Sequence, residues 1–329
     1  MLYATAHKAQ QAFPPEVQAF LHEQLSYVRD TAQLYRRRFN FALRHGYYHQ
    51  RPEEKGKVYM RFEMPGPGIL FQHDASRHCW LPALGGQQYL LLTQDDDSRR
   101  VVGALLVPRE TSWTHLQVVR QRVHAYGRPL AYYVDNHSIF RWLTHQSYRY
   151  TITTGEAEAR VQFRRVLRSL EVGIIHSTKG EPEARGKIEK RFDYLQRRLP
   201  FLCEKYQVRE VAEGNRILAD VIAYYNEERV HLETGEIPTR RWEEAVAADL
   251  GRLRPLPADI DLPDIFSLHL ERTVGKDGTF PFLGQRWLLG RALHRHRVQL
   301  RWLPEQRFWV LQGGRKVGDF VLSGEQLQP

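Results

Sequence analysis

Between Ile69 and Pro108 the chain alternates short apolar runs with polar or glycine-bearing turns. ILFQHDAS comes first, QQYLLLTQ follows the turn LGG, and VVGALLVP follows DDDSRR. Runs of this length bounded by turn residues predict three successive strands with a hairpin-like start. The period then changes. Thr111 or Ser112 can cap a helix through about His124, with Trp113, Leu116, Val119 and Val123 on one face and Gly127 closing it. AYYVD predicts a fourth strand, and EAEARVQFRRVLRSLEVG a helix with Val161, Phe163, Val166, Leu167 and Leu170 inward. GIIHS predicts a fifth strand. From about Glu183 to Leu199 a further helix places Ile188, Phe192, Leu195 and Leu199 on one buried stripe. The order β-β-β-α-β-α-β-α predicts an α/β fold, a mixed sheet flanked by helices. In open sheets of this class, sites gather beyond the strand ends where the chain changes direction.

The flanks have a different pattern. Residues 1–56 predict a basic helical region, with Val17, Phe20, Leu21 and Leu25 on one stripe after Pro14 and Pro15. Arg36, Arg37 and Arg38 lie there among aromatics, on a helix that either contacts DNA or covers the next domain. PGPG at 65–68 is a sharp break before the strands of a domain spanning 57–200. Residues 201–254 predict a helical extension, through VIAYYNEERVH and TRRWEEAVAADL. Pro255, Pro257 and Pro263 mark a linker, and over 255–329 short strands broken by Lys-Asp-Gly, Leu-Gly and Gly-Gly turns predict a small antiparallel β-barrel.

Composition narrows the class. A chain of 329 residues that is 42% hydrophobic buries a substantial core, and its formal charge of +10 suits a polyanionic partner. Cys79 and Cys203 stand far apart and outside any C-x-x-C pair, which argues against a disulfide framework or a cysteine-based zinc module. The amino terminus is too polar for a secretory signal, and no apolar run approaches the ~20 residues of a membrane span. A reducing, cytoplasmic setting without a membrane partner is expected.

Three acids stand in settings that suit chemistry: Asp74 in the first strand, Asp135 at the end of the fourth, and Glu189 early in the helix carrying Ile188. Glu189 sits at the margin of the buried stripe, from where its carboxylate can lean over the sheet edge. Gly186, one turn earlier, leaves room for a backbone or a phosphate to approach. A fold that gathers these acids at one end of a sheet requires divalent cations, and two metal ions about 4 Å apart are the usual machinery of phosphodiester chemistry. Inside a basic chain, such an acidic pocket points to nucleic acid.

At this point the residues form a recognisable pattern. Asp74, the DDDSRR turn, VDN closing a fourth strand and GKIEKRF opening a helix together resemble the retroviral integrase and insertion-sequence transposase superfamily, over roughly residues 57–200. The segment YYNEERVH, with IPTRRW after it, is similar to the stretch just beyond the core in bacterial insertion-sequence transposases. The resemblance implies a ribonuclease-H-like core in which Asp74, Asp135 and Glu189 are catalytic and hold two Mg²⁺ or Mn²⁺ ions, Asp74 bridging them. It implies a DDE-type transposase or integrase that cleaves transposon ends and joins 3′-hydroxyls to target DNA. It also implies double-stranded DNA as partner, a homodimer or higher multimer on it, a nucleoid association, and an ATPase helper as a further possible partner. Two departures stand out. Between Asp135 and Glu189 lie 53 residues (189 − 135 − 1), more than the retroviral pattern has, and His137 replaces a common glycine. Two rival functions remain open: a ribonuclease-H-like nuclease that only hydrolyses, and a truncated, non-catalytic DNA-binding remnant of a transposase.

Other residues are weighed beside the triad. Asn136, next to a ligand, is a candidate for orienting water or DNA. Glu181 and Glu183 compete with Glu189, but acids are favoured at a helix start by the macrodipole alone. His73 alternates to the face opposite Asp74 and reads as structural. Asp95, Asp96 and Asp97 read as a solvated hairpin turn. Lys187, Lys190, Arg191, Arg197 and Arg198 surround Glu189 with few acids nearby, so they are candidate DNA-phosphate contacts. His294 to Arg297 and Arg301 in the C-terminal strands are further candidates.

Overall fold

In a computed structural model of the chain, the described residues are 63–135, 156–177, 186–304 and 306–322, with Pro15 and Ala19; over 156–161 the backbone alone is described. The chain divides into Met1–Met60 and Arg61–Pro329, and every strand and helix named below belongs to the second unit. The basic helical region, Asn136, His137, Glu181 and Glu183 lie outside the described residues, apart from Pro15 and Ala19.

The three apolar runs become β1 (Leu70–His78), β2 (Gln88–Asp95) and β3 (Val101–Val107), and the later ones β4 (Ala131–Val134) and β5 (Gly173–His176). They form one sheet in the order β3-β2-β1-β4-β5. β1 pairs antiparallel with β2, and β2 with β3, whereas β1–β4 and β4–β5 are parallel. The parallel pairs need crossovers. Helix α1 (Ser112–Tyr126) supplies the first and α2 (Glu156–Ser169) lies in the second. Thr111 caps α1 in a reciprocal box with Thr114, and Gly127 ends it with a positive φ of 84°.

Each face of the sheet has its own core. On one side Phe71, Tyr132 and Val134 of the strands meet Leu116, Val119 and Val123 of α1 and Phe163, Val166 and Leu167 of α2. On the other, Leu90 and Leu92 meet the expected stripe, Ile188, Phe192 and Leu195, on α3 (Gly186–Gln196), with Leu199 just beyond. The short α4 (Leu199–Lys205), α5 (Val211–Glu227) and α6 (Pro238–Ala247) come next.

Helix α5 lies along β3, the edge strand. The Asn226 side chain accepts from Val101 N–H and donates to Val101 C=O, both at 2.9 Å. Asn215 does the same for Leu106, at 2.8 and 2.9 Å. The spacing is matched: eleven residues of helix rise about 16.5 Å, as do five residues of strand. Two amides thus satisfy edge groups that would otherwise template pairing with another chain. Gly214 permits the approach, since a Cβ there would lie 2.7 Å from Leu81 Cδ2 and 2.9 Å from Leu106 Cδ2.

After α7 (Leu262–Phe266), the C-terminal strands are β6 (Leu268–Thr273), β7 (Thr279–Phe282), β8 (Gln285–Leu288), β9 (Arg297–Leu303), β10 (Arg307–Gln312) and β11 (Arg315–Val321). They pair as a four-stranded antiparallel sheet, β11-β10-β9-β6, and a separate β7-β8 hairpin. The strands and their antiparallel sense agree with the sequence reading, but the described residues pair as two sheets rather than one closed barrel. Phe280, Phe282, Leu300, Phe308 and Val310 form their common core. Edge strand β6 is also met by an amide: Gln162 of α2 donates to His269 C=O at 2.7 Å and accepts from His269 N–H at 3.0 Å.

Candidate active site

Alternation along β1 decides which way Asp74 points. Its partner on β2 is Leu92, a residue of the α3-side core, so Asp74 leaves the sheet toward α3. The parallel register runs Leu70–Ala131, Phe71–Tyr132 and Gln72–Tyr133, and two residues further along each chain come Asp74 and Asp135. Residues at one level of a parallel pair leave the same face, on strands about 4.8 Å apart. Continued by two residues beyond its last pair, that register would put the two acids at one level and on one face, where β4 ends and the α2 crossover begins. Asp74 is 9% exposed and Asp135 half-buried. The Asp74 carboxylate accepts from Ala75 N–H at 2.9 Å, and the Asp135 carbonyl accepts from the His176 ring at 3.4 Å.

Glu189 lies in the first turn of α3, on the same side of the sheet, and is exposed. The helix runs in the same direction as β1. At its far end Gln196 donates to Ser76 Oγ at 3.2 Å, while at its start Lys187 reaches Asp96, whose own N–H bonds Leu70 C=O. Glu189 makes no hydrogen bond or ion pair among the described residues, so its carboxylate is available. The three acids do not close into one cluster here: among the described residues no three His, Cys, Asp or Glu side chains are close enough to hold a metal ion. Their donor set is all carboxylate oxygen, which suits a hard divalent ion such as Mg²⁺ or Mn²⁺. Beside Gly186 a Cβ would meet nothing within 4 Å, leaving the start of α3 open.

Behind Asp74, His73 faces the opposite core, as alternation requires. Its Nδ1 pairs with Thr93 Oγ1 at 2.8 Å and its Nε2 with His115 Nδ1 at 2.8 Å, and His115 Nε2 meets Glu110 at 3.0 Å. Burial, and then the neighbouring His115, hold the His73 imidazole well below its usual pKa. His73 is a structural group that fixes β1 from behind.

The acidic run corrects a sequence expectation. Asp95 and Asp96 are fully buried and Asp97 is 4% exposed, so DDD is no solvated turn. Asp95 accepts from Gly68 N–H, Ser98 N–H and Ser98 Oγ, at 2.9, 2.8 and 2.7 Å. Asp96 accepts from Met64 N–H at 2.9 Å, Gln72 Nε2 at 2.8 Å and Lys187 Nζ at 2.7 and 2.8 Å. Asp97 pairs with Arg241 of α6 at 2.8 Å. The run ties the chain before β1, α3 and α6 to one turn.

The same geometry corrects two phosphate candidates. Lys187 is spent on Asp96, with side chains only 2% and 0% exposed. Arg191 is 4% exposed, donates to Gln94 at 2.9 Å and lies 3.6 Å from the Tyr225 ring centre. Neither is offered to a phosphate. Lys190 and Arg197 are exposed, in surface ion pairs with Glu233 and Asp193, and Arg198 is half-buried against Tyr194. Of the C-terminal candidates, Arg301 pairs with Asp264 at 3.2 Å, while Arg295 and Arg297 are exposed. Sequence reading passed over Arg229, which joins Arg198 at Tyr194; the run NEERVH contained it without a pattern to mark it. No described helix is long and apolar enough to cross a membrane.

No family model matches the chain. It is similar to the transposase for insertion sequence IS1202 of Streptococcus pneumoniae, 29% identical over 161 residues that make up 49% of this chain and 33% of that one. It is also similar to the putative transposase y4bF of Sinorhizobium fredii, 27% identical over 250 residues, 71% of this chain and 50% of that one. The chain thus spans a third to a half of the length of these curated relatives. Among solved structures, the HTLV-2 integrase catalytic core domain in complex with magnesium aligns with 54% of this chain and 98% of its own, at 16% identity and a TM-score of 0.39. A chain of the simian T-cell lymphotropic virus intasome in complex with PP2A regulatory subunit B56 gamma aligns with 93% of this chain and 95% of its own, at 14% identity and a TM-score of 0.46. The resemblance drawn from the motifs, to a superfamily that includes insertion-sequence transposases, agrees with the likeness to these two transposases.

Proposed function

We propose that this chain, which resembles that superfamily, is a DDE-type transposase or integrase: a polynucleotidyl transferase that cleaves DNA ends and transfers the strand in DNA transposition. The observation that supports the reading is the β1–β4 register from Leu70–Ala131 to Gln72–Tyr133, which, continued by two residues, would align Asp74 with Asp135 on the face that α3 covers. Two carboxylates at that spacing, unaided, repel each other; a divalent cation relieves the repulsion.

Asp74 and Asp135 hold the ions in this reading, and Glu189, exposed and unpaired, completes the set when DNA and metal are present. Bound ions supply Lewis-acid activation of the attacking hydroxyl and charge neutralisation at the leaving oxygen. The chain's own residues do the rest. Asn136 orients water or DNA beside Asp135. Lys190, Arg197 and Arg198 contact phosphate, since exposed ion pairs such as Lys190–Glu233 are weak enough to exchange for it. Two copies or more assemble on paired ends, and an ATPase helper is a further partner.

The test is a cleavage-and-joining assay with labelled oligonucleotides bearing candidate terminal repeats, in Mg²⁺ or Mn²⁺. Strand-joined products support a transferase, and cleavage products alone support a hydrolytic nuclease. Asp74→Asn is expected to abolish nicking while DNA affinity stays within about twofold; equal loss of both contradicts the ligand role.

A further inference from the structure

Two guanidiniums share one tyrosine ring where α3 and the end of α5 meet, and two more lie close to the second of them, with few acids at hand. Arg198 lies 4.1 Å and Arg229 4.6 Å from the centre of the Tyr194 ring. Neither guanidinium makes an ion pair or hydrogen bond among the described residues, and both residues are half-buried, so water and solutes reach them. The Tyr225 ring, 5.2 Å from that of Tyr194, carries Arg191 at 3.6 Å. Arg99, 3% exposed, spends Nη2 on Glu63 and leaves Nε and Nη1 buried without a partner among the described residues.

Glu63 answers Arg99, and two other described carboxylates are engaged elsewhere. Asp193 pairs with Arg197, and Glu233 with Lys190. Like charges held this close cost free energy unless an anion lies among them. The orphaned donors say the same. Tyr194 is 7% exposed and its hydroxyl, like the Arg99 nitrogens, has no hydrogen-bond partner among the described residues. Buried polar groups are normally satisfied, and an exception marks a place where something is missing. His231 lies beside the same cations: burial, then Arg191 and Arg99, push its imidazole down to about 4, even with Glu233 opposing.

We propose that this cluster is an oxyanion site, in which Arg198 and Arg229 grip one phosphate group beside Tyr194, and that the phosphate is a DNA backbone phosphodiester. The pairing of two planar guanidiniums suits phosphate geometry better than lysines would. Aromatic stacking holds each guanidinium ready for the ligand, which lowers the ordering cost of binding. The identity of the source rests on the function proposed above, whereas the site itself rests on the unpaired donors. Arg229 comes just after α5, outside the acidic triad, so the contact positions DNA and takes no part in bond breakage.

Two measurements on the full chain separate these layers. In the first, thermal melting is compared in inorganic phosphate and in chloride at equal ionic strength. Wild type is expected to melt higher in phosphate. Arg198→Gln with Arg229→Gln should lose that difference, and Arg229→Gln alone should reduce it. No phosphate effect in wild type, or an equal effect in all three, overturns the site. The second measures binding of a fluorescent duplex against salt concentration. The double variant should flatten the slope of log affinity by about one, the loss of one phosphate contact. A phosphate effect with an unchanged slope overturns the DNA assignment. Failure of wild type to bind duplex at all sinks the transposase reading while leaving the first measurement to judge the site.

Discussion

Lys187 offers a sharp contrast between a structural and a DNA-binding cation. Its ammonium lies 2.7 Å from one oxygen of Asp96 and 2.8 Å from the other, with both side chains almost wholly removed from water. Replacing it by methionine keeps the volume and removes the charge. The Asp96 carboxylate then keeps Met64 N–H and Gln72 Nε2 as donors but loses the ammonium that neutralises it. Breaking a buried pair from one side costs about 3–5 kcal/mol, because an uncompensated charge stays inside. For a folded unit of this size, each kcal/mol lowers the melting temperature by about 2–4 °C, so Lys187→Met should melt roughly 6–20 °C early. Adding Asp96→Asn removes the stranded charge and should restore part of that loss. Circular dichroism melts of wild type, both single variants and the double variant form the cycle. The salt slope of DNA binding, measured well below the melt, should not move. Purely additive losses, or a flattened slope with unchanged melting, refute the argument and return Lys187 to the DNA interface.

Asp95 gives a pH prediction. Burial pushes its carboxyl up to about 7, against three hydrogen bonds that favour the charged form. The folded state therefore holds a proton that the unfolded state releases near pH 4, so stability falls as pH rises from about 4 to about 7 and levels off above. Three pKa units correspond to about 4 kcal/mol at most, and Asp95→Asn should flatten the decline seen in urea melts. A slope unchanged by the substitution assigns the titration elsewhere. Asn226→Ala strips Val101 of both edge partners and should cost about 2–4 kcal/mol; a loss under half a kcal/mol means water replaces the amide at no cost. In strand transfer, Glu189→Gln should lower turnover at least a hundredfold with unchanged melting, and an active variant removes Glu189 from the chemistry.

The sheet and its helices were legible because each carried a clean period. Leu116, Val119 and Val123 repeat as a helix face must, and Thr111 and Gly127 bracket that face with a cap at each end. Asp74 and Asp135 stand out in the sequence for a related reason: both end or interrupt apolar runs where a carboxylate has no packing role. The acidic turn was misread because local composition carries no information about partners distant in the chain. Ser98 and Arg99 look like turn residues in sequence, while Lys187 and Arg241, which complete the network, come 91 and 144 residues beyond the aspartates they meet. The same holds for the amides. Asn215, Asn226 and Gln162 look like ordinary polar residues of helices, and only the neighbouring strand edges show why each is an amide. Lys187 and Arg191 were misplaced because a helix face rich in cations reads as solvated until a buried acid or an aromatic ring is found against it.

The central claim is that Asp74, Asp135 and Glu189 share divalent ions, and Mn²⁺ titration followed by electron paramagnetic resonance, with a DNA duplex present, tests it most directly. Wild type should take up to two ions per chain, and Asp74→Asn, Asp135→Asn and Glu189→Gln should each weaken uptake at least tenfold. Undiminished Mn²⁺ binding in Asp74→Asn and Asp135→Asn would contradict the account.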